Sequence, residues 1–263
     1  MQKKELQTRP PYAIGSVDNA LRLLQMLRDS GELRVSDAAA ELGVAQSTAH
    51  RLLAMLVYRG FAVQDEGRVY QPGPGIGTGA AGPSWARRLR DVALPHLELL
   101  SGRLAETVNL MLRVGTKVRF LVSVEAQTEL HVGDRQGTVL PARLASGGRA
   151  LLAELDEPAL RRLYRTTSSD IAGEFLDHTA WAELVDELAK VRRLGYAVNV
   201  EDTETGVAAI GMALRTGSTV PVAAFSVSTP RARFKRLFTD RRLELIAATR
   251  RDVEQDAAGI RTD

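Results

Sequence analysis

The stretch VAQSTAHRLLAMLVYRGF, Val44 to Phe61, splits into two faces when laid on a helix. Ala45, Ala49, Leu52, Leu53, Leu56 and Val57 fall on one side, at the spacing of a helix packed on a core. Ser47, Arg51, Ala54 and Tyr58 fall on the other, with His50 beside them. No Asp or Glu occurs from Leu42 to Gln64. Solvated helices ordinarily mix both signs of charge, so an acid-free outer face points to an anionic neighbour.

The flanking residues extend the pattern. SVDNALRLLQMLRDSGE predicts a helix capped by Ser16, with a stripe of Val17, Ala20, Leu21, Leu24 and Leu27. VSDAAAELG predicts a second, capped by Ser36 and stopped by Gly43. Two short helices joined by a tight glycine turn make a helix-turn-helix. FAVQDEGRVYQPG then reads as two short strands around DEG, a wing with Arg68 at its tip.

The major groove of duplex DNA admits one helix. That helix must lead with short polar groups, follow with a cation and avoid carboxylates. Gln46, Ser47, Thr48, His50 and Arg51 meet this requirement. Gln suits adenine's edge, Arg suits guanine or phosphate, and one bidentate base contact discriminates by roughly 1–3 kcal/mol. Ser36 would present helix N–H groups to a phosphate, and Arg68 would reach a neighbouring phosphate or the minor groove.

The Gly/Pro-rich QPGPGIGTGAAGPS, residues 71–84, predicts a domain boundary. The expected organisation is a flexible arm at 1–15, a winged helix-turn-helix at 16–78, a linker and linker helix at 79–93, and a second domain at 94–263. Pro95 is expected in the first turn of a new helix after a linker helix ending near Val92. Beyond it, VNLMLRVGTKVRFLVSVEA, YAVNVED, GVAAIGMALR and VPVAAFSVST read as strands, with helices between and after them. The class is α+β, one antiparallel sheet with helices covering a face.

At 263 residues, 44% hydrophobic and 25% charged, the chain has a globular composition. It has no run of 18 apolar residues for a membrane span and no secretory pattern at its start, so a cytoplasmic location is expected. The net charge of +3 is small beside 35 Lys and Arg and argues little. Zero cysteines exclude disulfides, thiolate metal sites and a Cys nucleophile. His50, His96, His131 and His178 have no partner motif, and neither G-x-S-x-G nor G-x-x-x-x-G-K occurs. GPGIGTG follows a wing rather than a buried strand and is not a dinucleotide loop. EDTET reads as a solvated turn. No enzyme activity, cofactor or metal is expected. A small-acid enzyme with a DNA-binding head, or a constitutive DNA-binding protein, are the alternatives.

The segments SVDNALRLLQML, VSDAAAELGVAQSTAHRLLAMLVYRGF and GRVYQPG resemble the DNA-binding half of the IclR family of bacterial transcriptional regulators. LPARLASGGRALLAEL, VRRLGYAVNVEDTETGVAAIGMAL and PVAAFSVSTPRARF resemble its effector domain, so the likeness runs from about Ser16 to Ile260. The resemblance implies a winged helix-turn-helix, a linker helix and a GAF-like α/β effector domain. It also implies homodimers or homotetramers on double-stranded operator DNA, and a small organic or aromatic acid as effector. It places the effector pocket at Leu140, Ser146, Gly147, Asn199, Val207, Ala209, Ser226 and Ser228, with Val132 nearby. Where some members that bind small keto acids have an acidic residue and a cysteine, this chain has Asn199 and Ala209, which favours a larger or more apolar ligand.

Those positions make chemical sense. Ser146 would cap a helix whose glycines let a carboxylate reach free N–H groups. Ser226 and Ser228, two apart on a strand, share a face, as do Val207 and Ala209. The set is a mostly apolar pocket with a few convergent donors.

Overall fold

The computed structural model describes residues 12–64, 68–73, 75, 84–171, 173–217 and 220–260. The chain divides into two compact units, Met1–Gly77 and Thr78–Asp263. Most of the expected arm, the DEG tip and most of the Gly/Pro connector lie outside the described residues.

The first unit holds α1 (Gly15–Ser30), α2 (Val35–Leu42), α3 (Gln46–Tyr58), β1 (Ala62–Gln64) and β2 (Tyr70–Pro72). β1 and β2 pair antiparallel, and Leu33 adds a bridge to Tyr70. Leu23, Leu27, Ala38, Leu42, Ala49, Leu53, Leu56 and Tyr70 form the core. The face of α1 differs from the expected one. Leu23 and Leu27 are fully buried, whereas Val17 and Leu21 are 51% and 55% exposed. The pair at i, i+4 that meets the core is therefore rotated from the predicted stripe. Ala45 is exposed as the N-cap of α3 rather than buried.

The three serines expected as caps are not caps. α1, α2 and α5 (Ser146–Ala153) have Ile14, Arg34 and Ala145 at the N-cap position, with no side-chain bond. Each helix begins before the point the serine marked, so Ser16, Ser36 and Ser146 lie inside the first turn. The side-chain caps are aspartates instead. Asp156 accepts from Ala159 N at 2.8 Å at the start of α6 (Glu157–Tyr164). Asp177 accepts from Ala180 N at 2.8 Å at the start of α8 (His178–Leu194).

The second unit opens with α4 (Ser84–Leu104), one continuous helix with Pro95 inside it, not two helices. Ala86, Leu89, Ala93, Leu97, Leu100 and Leu104 form a buried stripe running straight past the proline. Four buried leucines at about 2 kcal/mol each outweigh the roughly 3 kcal/mol cost of proline in a helix interior.

The remaining strands are β3 (Thr107–Val114), β4 (Lys117–Val124), β5 (Val139–Pro141), β6 (Ala197–Val200), β7 (Val207–Leu214) and β8 (Ala223–Pro230). They form one antiparallel sheet in the order β5-β4-β3-β8-β7-β6. A short α7 (Thr167–Ile171) follows α6, and a 3-10 segment, Arg231–Phe238, leads into α9 (Asp240–Asp256). Helices cover both faces of the sheet, not one. Val108, Leu110, Ile210, Phe225 and Val227 pack with the stripe of α4 and with Ile246 and Val253 of α9. On the other face Met111, Ala213 and Ala224 pack with Leu151, Leu188 and Tyr164. Alternation along each strand produces this division.

Glycines set how closely α5 approaches the sheet. A Cβ on Gly211 would stand 2.3 Å from Gly147 N, and one on Gly147 would stand 2.5 Å from Met111 Sδ. Neither position has room for a side chain.

Candidate functional site

α3 supplies the first site. Its first turn contains no acidic residue. Gln46, Ser47, Thr48 and Arg51 are exposed and His50 is partly exposed. Among the described residues Arg51 makes no ion pair or hydrogen bond, so its guanidinium is available to a partner. Ala54 is half-buried, and the exposed ring of Tyr58 carries the Arg59 guanidinium 5.2 Å from its centroid. Arg68 is exposed, with φ of 61°, beside the undescribed wing tip. Ser36 is less suited to a phosphate than expected, because its hydroxyl donates to the Asp37 carboxylate at 3.1 Å. A carboxylate in that turn opposes an approaching phosphate.

The second site is a cavity on the α5 face of the sheet. Leu140, Ser146, Asn199, Val207, Ala209, Ser226 and Ser228 line it together, as their strand registers dictate. Gly147 is not in the lining; it packs under α5 against Met111 and Gly211. Val132 is buried outside it, where its carbonyl accepts from the Thr107 hydroxyl. The cavity measures about 20 Å³, room for about one water.

Five lining residues were not singled out in the sequence: Met111, Phe120, Arg135, Ala145 and Thr203. Arg135 is the cation of the lining and forms an ion pair with Glu204. Behind the lining, Asn109 is fully buried and donates to Ser228 Oγ at 3.0 Å. It also accepts from Ser123 Oγ, which in turn receives the backbone N–H of Arg135 at 3.0 Å. Asn199 holds the β6–β7 loop, donating to Thr203 Oγ1 at 2.8 Å and accepting from Asp202 N at 3.0 Å. Arg149 braces the same loop through Asp202 at 2.9 Å. Among the described residues, the hydroxyls of Ser146 and Ser226 and the N–H groups of Ser146, Gly147 and Gly148 have no partner. Of these, Ser146 and Ser226 belong to the cavity lining, Ser146 at the N-terminal, positive end of α5. No cluster among the described residues could hold a metal ion.

Two family models match the chain. The IclR helix-turn-helix domain covers residues 16–66, and the bacterial transcriptional regulator IclR C-terminal domain covers residues 86–255. The chain belongs to the IclR family. Among its relatives, this IclR-family chain is 31% identical to the HTH-type transcriptional regulator BhcR of Paracoccus denitrificans, over 84% of this chain and 79% of that one. It is 29% identical to the HTH-type transcriptional repressor AllR of Escherichia coli, over 90% and 88%. An IclR homologue from Microbacterium hydrocarbonoxydans, solved with 4-hydroxybenzoate, shares the fold at a TM-score of 0.56 and 23% identity, covering 92% of this chain and 98% of that one. The chain is thus a transcriptional regulator with a DNA-binding helix-turn-helix and an IclR C-terminal domain. Its relatives are named as regulators, not enzymes. No helix among the described residues is long and apolar enough to cross a membrane.

Proposed function

We propose that this IclR-family regulator binds operator DNA through the outer face of α3 and a small organic or aromatic acid in the cavity beside α5, as a homodimer or homotetramer. The observation that carries the acid reading is the unpaired hydroxyls of Ser146 and Ser226 and the unpaired Ser146 N–H, with Arg135 in the same lining. Donors without acceptors at a helix N-terminus suit a carboxylate. Met111, Phe120, Leu140, Val207 and Ala209 supply an apolar wall for its hydrocarbon part. The solved relative with 4-hydroxybenzoate supports an aromatic member of that class.

A cavity of about 20 Å³ is too small for such a ligand as it stands. Binding therefore selects a more open arrangement, and the ligand changes DNA affinity only through its preference between the two. β3 offers a route within the second unit. Its Met111 faces the cavity, its Leu110 packs on the α4 side, and the register with β4 shifts between those two residues.

The test is a thermal-shift screen of organic and aromatic acids, followed by operator binding with and without each hit. A saturable ligand that alters operator affinity is expected. Ligands that bind saturably yet leave operator affinity unchanged would refute the regulatory reading.

A further inference from the structure

Among the described residues, four buried side-chain polar atoms have no hydrogen-bond partner, and three of them belong to one cluster: Arg113 Nε, Arg143 Nε and Tyr164 Oη. Buried polar atoms in native proteins are nearly always satisfied, so a concentration of this kind marks a missing partner. None of the three residues lines the cavity described above.

The cluster sits at the β3–β4 end of the sheet. Arg113 lies opposite Val118 in the β3–β4 register, on the face shared with Met111. Its Nη1 donates to Gly115 O at 3.0 Å. Arg143 follows β5, one residue after Ala142, whose N–H bonds to Thr116 O at 2.8 Å. Tyr164 closes α6 and is 0% exposed. Arg113, Arg143 and Glu174 all lie close enough to act electrostatically on its hydroxyl.

The local charge is unbalanced. The acid of the cluster, Glu174, is buried and held by Lys117. Neither Arg113 nor Arg143 has a carboxylate partner among the described residues. Burial pushes the Arg113 guanidinium below its ordinary value and the Tyr164 phenol above its own. Guanidinium groups only donate, and a phenol has one proton to give. Three unmatched donors and two uncompensated cations call for an acceptor that carries negative charge. A water molecule would satisfy donors but leave both charges uncompensated.

We propose that Arg113, Arg143 and Tyr164 form a second binding site, for a small oxyanion such as a carboxylate or inorganic phosphate. Occupancy supplies the acceptor that the fold lacks and stabilises the folded state by mass action.

The experiment is thermal unfolding of the full chain in inorganic phosphate or acetate, with chloride replaced to hold ionic strength constant. The unfolding temperature of the unaltered protein should rise and saturate with at least one of the two, and the active one names the preferred head group. Tyr164→Phe removes a hydroxyl with no partner, so in chloride alone it should be as stable as the parent or more so. Its apparent anion affinity should fall, and that of Arg113→Gln should fall by about tenfold. Should Arg113→Gln fail to fold, Tyr164→Phe alone decides. A response that never saturates with either anion, or that is the same in Tyr164→Phe as in the parent, overturns the site. So does a Tyr164→Phe protein less stable than the parent in chloride, because the hydroxyl would then have a protein partner.

Discussion

Arg135 and Glu204 form an ion pair at the edge of the cavity, although 69 positions separate them in the chain. The guanidinium is largely buried and lines the cavity, whereas the carboxylate comes from the exposed β6–β7 loop. Glu204 thus occupies the partner that an acidic ligand would need. Glu204→Gln is expected to raise the affinity for the acid found by screening. Arg135→Gln should lower it by about tenfold or more, the worth of a charge-assisted hydrogen bond. Calorimetric titration of both variants checks this; equal affinities in the two would remove Arg135 from ligand recognition.

Arg51 has no competing partner in its own unit, so its substitution should affect DNA and spare the fold. Arg51→Ala should weaken operator binding while leaving the unfolding temperature within a degree or two. If the contact is to phosphate, the slope of log affinity against log salt falls by about one, uniformly across operator sequences. If it is to a guanine edge, discrimination at one base pair drops by about 1–3 kcal/mol instead. Fluorescence anisotropy over a salt series separates the two, and unchanged binding throughout would rule out both.

Glu106 is buried at 3% exposure, and both its oxygens accept from Arg233, at 2.9 and 2.8 Å. This pair ties the 3-10 segment to the start of β3. Removing the arginine strands a carboxylate in the interior, which costs about 3 kcal/mol. Urea denaturation should show that loss for Arg233→Ala. The double variant Glu106→Gln/Arg233→Ala should recover part of it, since the stranded charge is gone.

The His131 imidazole is held above its ordinary value, first by the Thr128 carbonyl at 2.6 Å and then by the Glu125 carboxylate at 3.1 Å. A raised value in the folded state means that the charged ring stabilises the fold. That contribution is complete below the unfolded value near 6.5 and is lost as pH rises through the folded one. An NMR titration should place the His131 midpoint above 6.5. Glu125→Gln should move it only part of the way down, because the carbonyl contact remains.

The legible parts of this chain were those where one period dominates. α3 carries its leucines on one side only and could be read directly. The hairpin was legible from the DEG between two apolar runs rather than from alternation, since Ala62 and Tyr70 are buried and Val63 is exposed. The family resemblance named Val207, Ala209, Ser226 and Ser228, and the two-residue spacing within each pair accounts for their sharing one face in β7 and β8 and one lining. α1 was misread because apolar residues lie on more than one side of it, and only packing decides between Leu21 and Leu23. Pro95 suggested a break, but the stripe of α4 overrides it through burial that no local rule counts. Asn109 and Arg135 carried no signal at all. Each is an isolated polar residue whose role arises only when β3, β8 and the segment after β4 are brought together.

The close approach of α5 at Gly211 has a further consequence. Because α5 rests directly on the backbone of β7 there, the height of the cavity-lining Ser146 above the sheet depends on the absence of a side chain at position 211. Adding one methyl at position 211 would lift the N-terminus of α5 like a shim under a door. Ser146 would rise with it, and the enclosed volume would grow without a single lining residue being exchanged. A change in the preferred size of guest could therefore arise at a position no guest ever touches.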